Sequence, residues 1–149
     1  MVAVKSVETV VCPACGTLNR VPGERLAAQP KCGKCGKALL TGKPVAADAA
    51  LFERLVGKGT LPVLVDFWAE WCGPCRAMAP AFEAAATALE PQIVLAKVDI
   101  ERAQAIAARF GVSSIPTLAL FRGGREVARQ AGAMNTSGIV QWAKAALAR

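Results

Sequence analysis

The sequence predicts an α/β fold: a central mixed sheet flanked by helices, in the order β-α-β-α-β-α-β-β-α, behind a small cysteine-rich unit. Three observations predict it. Two continuous apolar runs, at 63–68 and 93–98, have the texture of strands buried on both faces of a parallel sheet. Helix-period stretches separate them, and a glycine pair joins the last two strands. The first 43 residues differ in composition. They are rich in Gly, Pro, Lys and Cys and have too few large apolar side chains to fold unaided.

The elements follow in order. Thr41-Gly42-Lys43-Pro44 reads as a linker between a 1–43 unit and a 44–149 unit. Val45-Ala46-Ala47 is a short first strand. Asp48 is placed to cap a helix whose Leu51, Phe52, Leu55 and Val56 share one face, ending near Gly57. Pro62 opens the strand 63–68, and a helix runs from Pro74 to about Leu89. Pro80 inside that helix removes one hydrogen bond and predicts a kink. Residues 93–98 form the next strand, and 102–110 a helix with Ala103, Ile106, Ala107 and Phe110 inward. Residues 117–121 are a strand, Gly123-Gly124 a tight turn, and 126–130 its hairpin partner. The last helix, 136–148, aligns Ile139, Val140, Ala143 and Leu147.

Composition narrows the function. With 149 residues and 54% apolar content, a core is available without disulfide staples. No apolar run approaches the roughly 18 residues of a membrane span, so no membrane partner is expected. The N-terminus has one lysine and short valine stretches, broken at Glu8, instead of the continuous apolar region of a secretory signal. A cytoplasmic address is the expectation. Residues 1–45 carry seven Lys/Arg against two Asp/Glu, a balance of +5. Without a Lys/Arg cluster or a stacking aromatic there, this argues against a nucleic-acid partner.

The six cysteines fall into pairs, Cys12/Cys15, Cys32/Cys35 and Cys72/Cys75. In a reducing compartment such pairs suggest metal binding or redox catalysis. There is no histidine to serve as ligand or base. Cys12-Pro13-Ala14-Cys15-Gly16 and Cys32-Gly33-Lys34-Cys35-Gly36 are two Cys-x-x-Cys-Gly turns, sixteen residues apart. This spacing fits one structural Zn²⁺ held by four thiolates, which would supply the folding free energy the segment lacks. Iron, disulfides and free thiols are the alternatives; iron sites of this kind usually have an aromatic shell, absent here.

Cys72 and Cys75 lie where an apolar strand runs into a helix. The first thiol meets the helix N-terminus, where unpaired amides and the dipole favour a thiolate. The second lies one turn on, within disulfide reach. Cys72 is therefore the candidate nucleophile, with the more exposed sulfur, and Cys75 the resolving thiol. A structural metal knuckle is the competing reading. Asp66, in mid-strand, is costly unless it is used or paired.

Trp71-Cys72-Gly73-Pro74-Cys75 closely resembles the active site of the thioredoxin family. With Cys12–Cys35 in front, nearly the whole chain resembles the class of bacterial thioredoxins that carry an N-terminal zinc ribbon. The resemblance implies the thioredoxin fold and a protein-disulfide reductase. It implies that Asp66 assists proton transfer at Cys75, with Lys97 as its neighbouring lysine. It makes Ile115-Pro116-Thr117 the cis-proline loop, where the Ile115 backbone pairs with substrate beside Pro116. Trp71, Gly73 and Pro74 would form the groove's rim, and Gly132-Ala133 its third loop. Trp68 and Pro80 also match, and Arg76 stands where the family commonly has lysine. Relatives that act as oxidants often have histidine between the cysteines; Gly73-Pro74 favours a reductant. The implied partners are disulfide-containing proteins and a flavin-containing thioredoxin reductase drawing on NADPH, with no organic cofactor bound and the chain a monomer. The rival readings are an oxidase or isomerase of the same fold, and a zinc-ribbon binding module with an incidental dithiol.

Overall fold

The computed structural model describes residues 6–149; the N-terminal lysine and the first valines lie outside the described residues. Strands β1 (Val7–Val11) and β2 (Leu18–Pro22) pair antiparallel around the first cysteine turn, followed by a 3-10 helix, Gly23–Ala28. A bridge between Lys31 and Ala38 closes the second turn. Both knuckles are built alike. Gly16 donates to the Cys12 carbonyl at 2.8 Å and Gly36 to the Cys32 carbonyl at 2.9 Å. Gly16 and Gly36 have φ of +77° and +78°, the left-handed region where a side chain is strained.

The second unit continues with β3 (Val45–Ala46), α1 (Ala49–Gly57), β4 (Val63–Trp68), α2 (Gly73–Leu89) and β5 (Val94–Asp99). Then come α3 (Gln104–Arg109), β6 (Thr117–Arg122), β7 (Arg125–Ala131) and α4 (Thr136–Leu147). The sheet order is β3-β5-β4-β6-β7. The pairs β3–β5 and β5–β4 are parallel, and β4–β6 and β6–β7 antiparallel.

Strand alternation fills both faces. Val63, Val65 and Phe67 of β4 join Phe52, Val98 and Phe121 under α1 and α3. Leu64 joins Met78, Phe82, Leu95, Leu118 and Ile139 under α2 and α4. Asp66 shares its parity with Leu64 and is fully buried.

Several boundaries move from the expected ones. β5 runs one residue later than 93–98. The helix expected at 102–110 starts at Gln104, because Asp99 holds a turn first. Its side chain accepts from the Glu101 amide at 2.9 Å, and its carbonyl accepts from Arg102 and Ala103. α2 runs through Pro80, whose missing N–H leaves the Arg76 carbonyl without its helical donor.

The cysteine-rich unit is docked on the larger one. Val10 packs with Cys12, Val21, Cys32 and Leu39, and Leu61 of the larger unit joins that cluster. Val11 turns the other way and packs into the main core with Phe52 and Leu55. Leu18 is 42% exposed, because β2 places it on the face opposite Val21. Thr60 stitches the join: its amide donates to the Thr9 carbonyl, its hydroxyl accepts from the Thr9 amide at 2.8 Å and donates to Glu8 at 2.7 Å. Arg54 donates to the Gly16 carbonyl at 3.1 Å. At Gly59 a Cβ would meet the Leu55 carbonyl oxygen at 2.8 Å, so the chain leaving α1 needs glycine there, and the same Cβ would crowd Val11 Cγ2 of β1 at 3.3 Å. In the linker, Gly42 donates to Glu90 at 3.0 Å and its carbonyl accepts from Thr87.

Candidate active site and metal centre

The end of β4, the start of α2 and the loop before β6 converge on Cys72 and Cys75, which are joined as a disulfide. Cys72 is the N-cap of α2, and its sulfur accepts from the Cys75 amide at 3.2 Å. An amide aimed at that sulfur, together with the helix dipole, favours the thiolate after reduction. The Ile115–Pro116 bond is cis, and the Ile115 carbonyl oxygen lies 3.8 Å from Cys72 Sγ. Ala69, Trp68, Ile100 and Ile115 pack around the disulfide.

The expectation that the Cys72 sulfur is the more exposed meets a closed site: Cys72 is 4% and Cys75 2% exposed. In the disulfide each sulfur shields the other, and the Ile115 loop covers the outer one. The open part of the rim is Trp71, 68% exposed, whose indole N–H donates to Glu101 Oε1 at 2.9 Å. Gly73 has open space where a Cβ would stand. Pro74 occupies the first turn of α2, where its missing N–H costs no helical bond. Gly132 reaches the same loop, donating to the Pro116 carbonyl at 2.9 Å, with Ala133 next in the chain. The loop is tied underneath by Thr117, whose hydroxyl donates to the Ser114 carbonyl at 2.6 Å.

Asp66 and Lys97 stand side by side on β4 and β5. Among the described residues, neither carboxylate oxygen of Asp66 has a hydrogen-bond partner. Burial pushes this acid up to about 7 from an ordinary 3.8, and the nearby Lys97 charge offsets only part of the rise. The Lys97 ammonium sits 4.3 Å from the centre of the Trp68 ring.

The other four cysteines form a second cluster. Cys12 and Cys35 sulfurs are 3.6 Å apart, Cys15 and Cys32 sulfurs 3.7 Å, and all four lie within 4.8 Å of one another. These separations are too long for disulfides. A tetrahedral ion with metal–sulfur bonds of about 2.3 Å would set the sulfurs about 3.8 Å apart, so the donor set fits a four-thiolate metal ion. The sulfurs differ in surroundings. Burial pushes the Cys12 thiol up to about 11, whereas the Cys35 and Lys34 amides and the Asn19 side chain bring Cys32 down to about 6.

Glu101 and Asn19 escaped the sequence reading. Glu101 carries no local signal, because its partner is thirty residues away. Asn19 sits on a strand between the knuckles, outside any ligand spacing.

The comparisons agree with this anatomy. The family described as "Thioredoxin" matches residues 43–145, and "Thioredoxin 2, N-terminal" matches residues 11–37. Thioredoxin C-3 of Corynebacterium nephridii is 47% identical over 133 residues, spanning 89% of this chain and 91% of the relative. The Rhodospirillum rubrum thioredoxin is 43% identical over 98 residues, or 66% of this chain and 94% of the relative. A mutant thioredoxin from Halobacterium salinarum NRC-1 superposes with a TM-score of 0.63 at 28% identity, covering 70% of this chain and 90% of that one. With its dithiol at the head of α2, its cis-proline loop and both family patterns in tandem, the chain belongs to the thioredoxin family.

Proposed function

We propose that the protein reduces disulfides in other proteins by dithiol exchange. The observation that carries this is the Cys72–Cys75 disulfide at the N-terminus of α2, beside the Ile115–Pro116 loop. In the reduced protein, the Cys72 thiolate attacks one sulfur of a substrate disulfide. A mixed disulfide forms, and the substrate's other sulfur leaves as a thiolate. Asp66 takes the proton from Cys75, whose thiolate then attacks Cys72 Sγ. That step forms the Cys72–Cys75 bond and releases the substrate's second thiol. A reductase drawing on NADPH returns two electrons and two protons. Trp71, Gly73, Pro74, Pro116, Gly132 and Ala133 frame the groove, and the Ile115 backbone pairs with an extended substrate segment. Lys97 keeps the ionised form of Asp66 accessible near neutral pH.

In this reading residues 1–43 are a ribbon holding one Zn²⁺ on Cys12, Cys15, Cys32 and Cys35, and residues 44–149 are the catalytic unit. The ion supplies folding free energy and leaves no position open for chemistry. The protein works as a cytoplasmic monomer with no organic cofactor. No helix among the described residues is long and apolar enough to cross a membrane. An insulin-reduction assay paired with metal analysis tests both halves: turnover with reductase and NADPH, and one zinc per chain, are expected. No turnover, or zero or two zinc ions, overturns the corresponding half.

Asp66→Asn gives a separate check. Asp66 binds its proton more tightly folded than unfolded, so its contribution is fully present below about pH 4. It fades as pH rises, until the charged form is buried above about 7. The shift corresponds to roughly 4 kcal/mol at most. The Asn variant should therefore be as stable as the parent near pH 4 and more stable at pH 8, as read by denaturant midpoints. It should also release mixed disulfides more slowly near neutrality. A destabilised but catalytically normal variant would make Asp66 a structural partner instead.

A further inference from the structure

Asn19 lies half-buried on β2, between the two cysteine turns, and its side chain is fully engaged. One N–H donates to the Thr17 carbonyl at 3.1 Å, beside the first knuckle. The other is directed at Cys32 Sγ at 3.5 Å. Its carbonyl accepts from the Gly33 amide at 2.9 Å, inside the second knuckle. A carboxamide offers two donors and one acceptor group, and all are used here. The Lys34 amide also points at Cys32 Sγ, from 3.4 Å, and the Thr17 hydroxyl lies 3.2 Å from Cys15 Sγ.

Four thiolates around a divalent cation carry a net excess of negative charge. Hydrogen bonds donated to the sulfurs spread that charge and fix the sulfur lone pairs toward the ion. Backbone amides do this wherever the turn forms. The Asn19 donor depends on one side chain, and the same side chain clamps the second knuckle to the hairpin that carries the first. We infer that Asn19 is a positioning residue of the four-cysteine centre, holding the two knuckles in register and donating to the Cys32 thiolate so that the bound metal is released slowly. This rests on the four-thiolate reading given above.

The test uses the full chain with one equivalent of Zn²⁺, and separately of Co²⁺, in the parent, Asn19→Asp and Asn19→Ala proteins. Asn19→Asp keeps an acceptor for Gly33 but loses both donors; Asn19→Ala loses all three bonds without adding charge. Zinc transfer to a chromophoric chelator should be about 10–100-fold faster in both variants. The sulfur-to-cobalt charge-transfer band should move to lower energy, because a sulfur without its donor holds its electrons less tightly. Failure of both variants to retain metal, with the catalytic unit still folded and its thermal transition lowered no further than in the metal-stripped parent, also supports the inference. Parent-like transfer rates and an unmoved band in both variants overturn it. An effect in Asn19→Asp alone overturns it too, since added charge then suffices. A parent protein that binds neither metal refutes the four-thiolate reading instead.

Discussion

Cys72→Ser is expected to abolish disulfide reduction, with insulin turnover falling on the order of a thousandfold or more, to background. Cys75→Ser is expected to behave differently, accumulating mixed disulfides with substrate proteins. The distinction follows from position. Cys72 caps α2 and its sulfur receives the Cys75 amide, so it is the sulfur best able to carry negative charge. Cys75 lies inside the helix, beneath it, and can attack only a partner already attached to Cys72. Non-reducing gels and mass spectrometry of trapped adducts separate the two. Near-parental turnover by Cys72→Ser would refute the assignment, and adducts formed through Cys75 in that variant would exchange the roles.

Removing the metal should have the second large effect, on structure and not on turnover. Among the described residues the small core holds Val10, Val21 and Leu39 besides Cys12 and Cys32, with Leu26, Leu40 and Leu61 at its edge. A structural four-thiolate zinc supplies about 10–16 kcal/mol, comparable to the whole stability of an ordinary domain. Stripping it under reducing conditions should therefore unfold the ribbon, seen as lost β1–β2 amide protection in hydrogen exchange. A chain beginning at Lys43 should stay folded and keep reducing insulin. It should be less stable by about 2 kcal/mol, the burial of one valine, because Val11 leaves the main core. A folded but inactive chain of this kind would mean that the ribbon contributes to the active site.

The order of elements was legible in the sequence because the strands of the sheet centre are apolar runs interrupted only by single polar residues such as Asp66 and Lys97, which few other arrangements tolerate. The dithiol was legible for a similar reason: Trp71 through Cys75 is contiguous, and its chemistry depends on local helix geometry. The α3 boundary was not, since the Asp99 side chain wins the amide of Glu101 from the helix, a competition that periodicity does not register. Neither was the placement of the ribbon. Val10 and Val11 look equivalent in sequence; which face each takes depends on a hairpin register set by the partner strand. Glu101 and Asn19 were invisible because their partners come from distant segments.

Val10 and Val11 are consecutive residues that serve different cores, and this bears on how such chains can be recombined. The sequence reads as two separate units, 1–43 and 44–149, joined at a linker. In the folded protein the seam runs through β1, not through the linker: its sockets are the cavity that receives Val11, the missing side chain at Gly59 and the hydroxyl of Thr60. A larger residue at Gly59 would meet the Leu55 carbonyl at 2.8 Å and crowd the Val11 methyl at 3.3 Å, so a recipient domain carrying one would have to shift both its own turn and the seat of Val11. The ribbon is thus a fitted part, and transplanting it requires carrying the 59–61 loop with it.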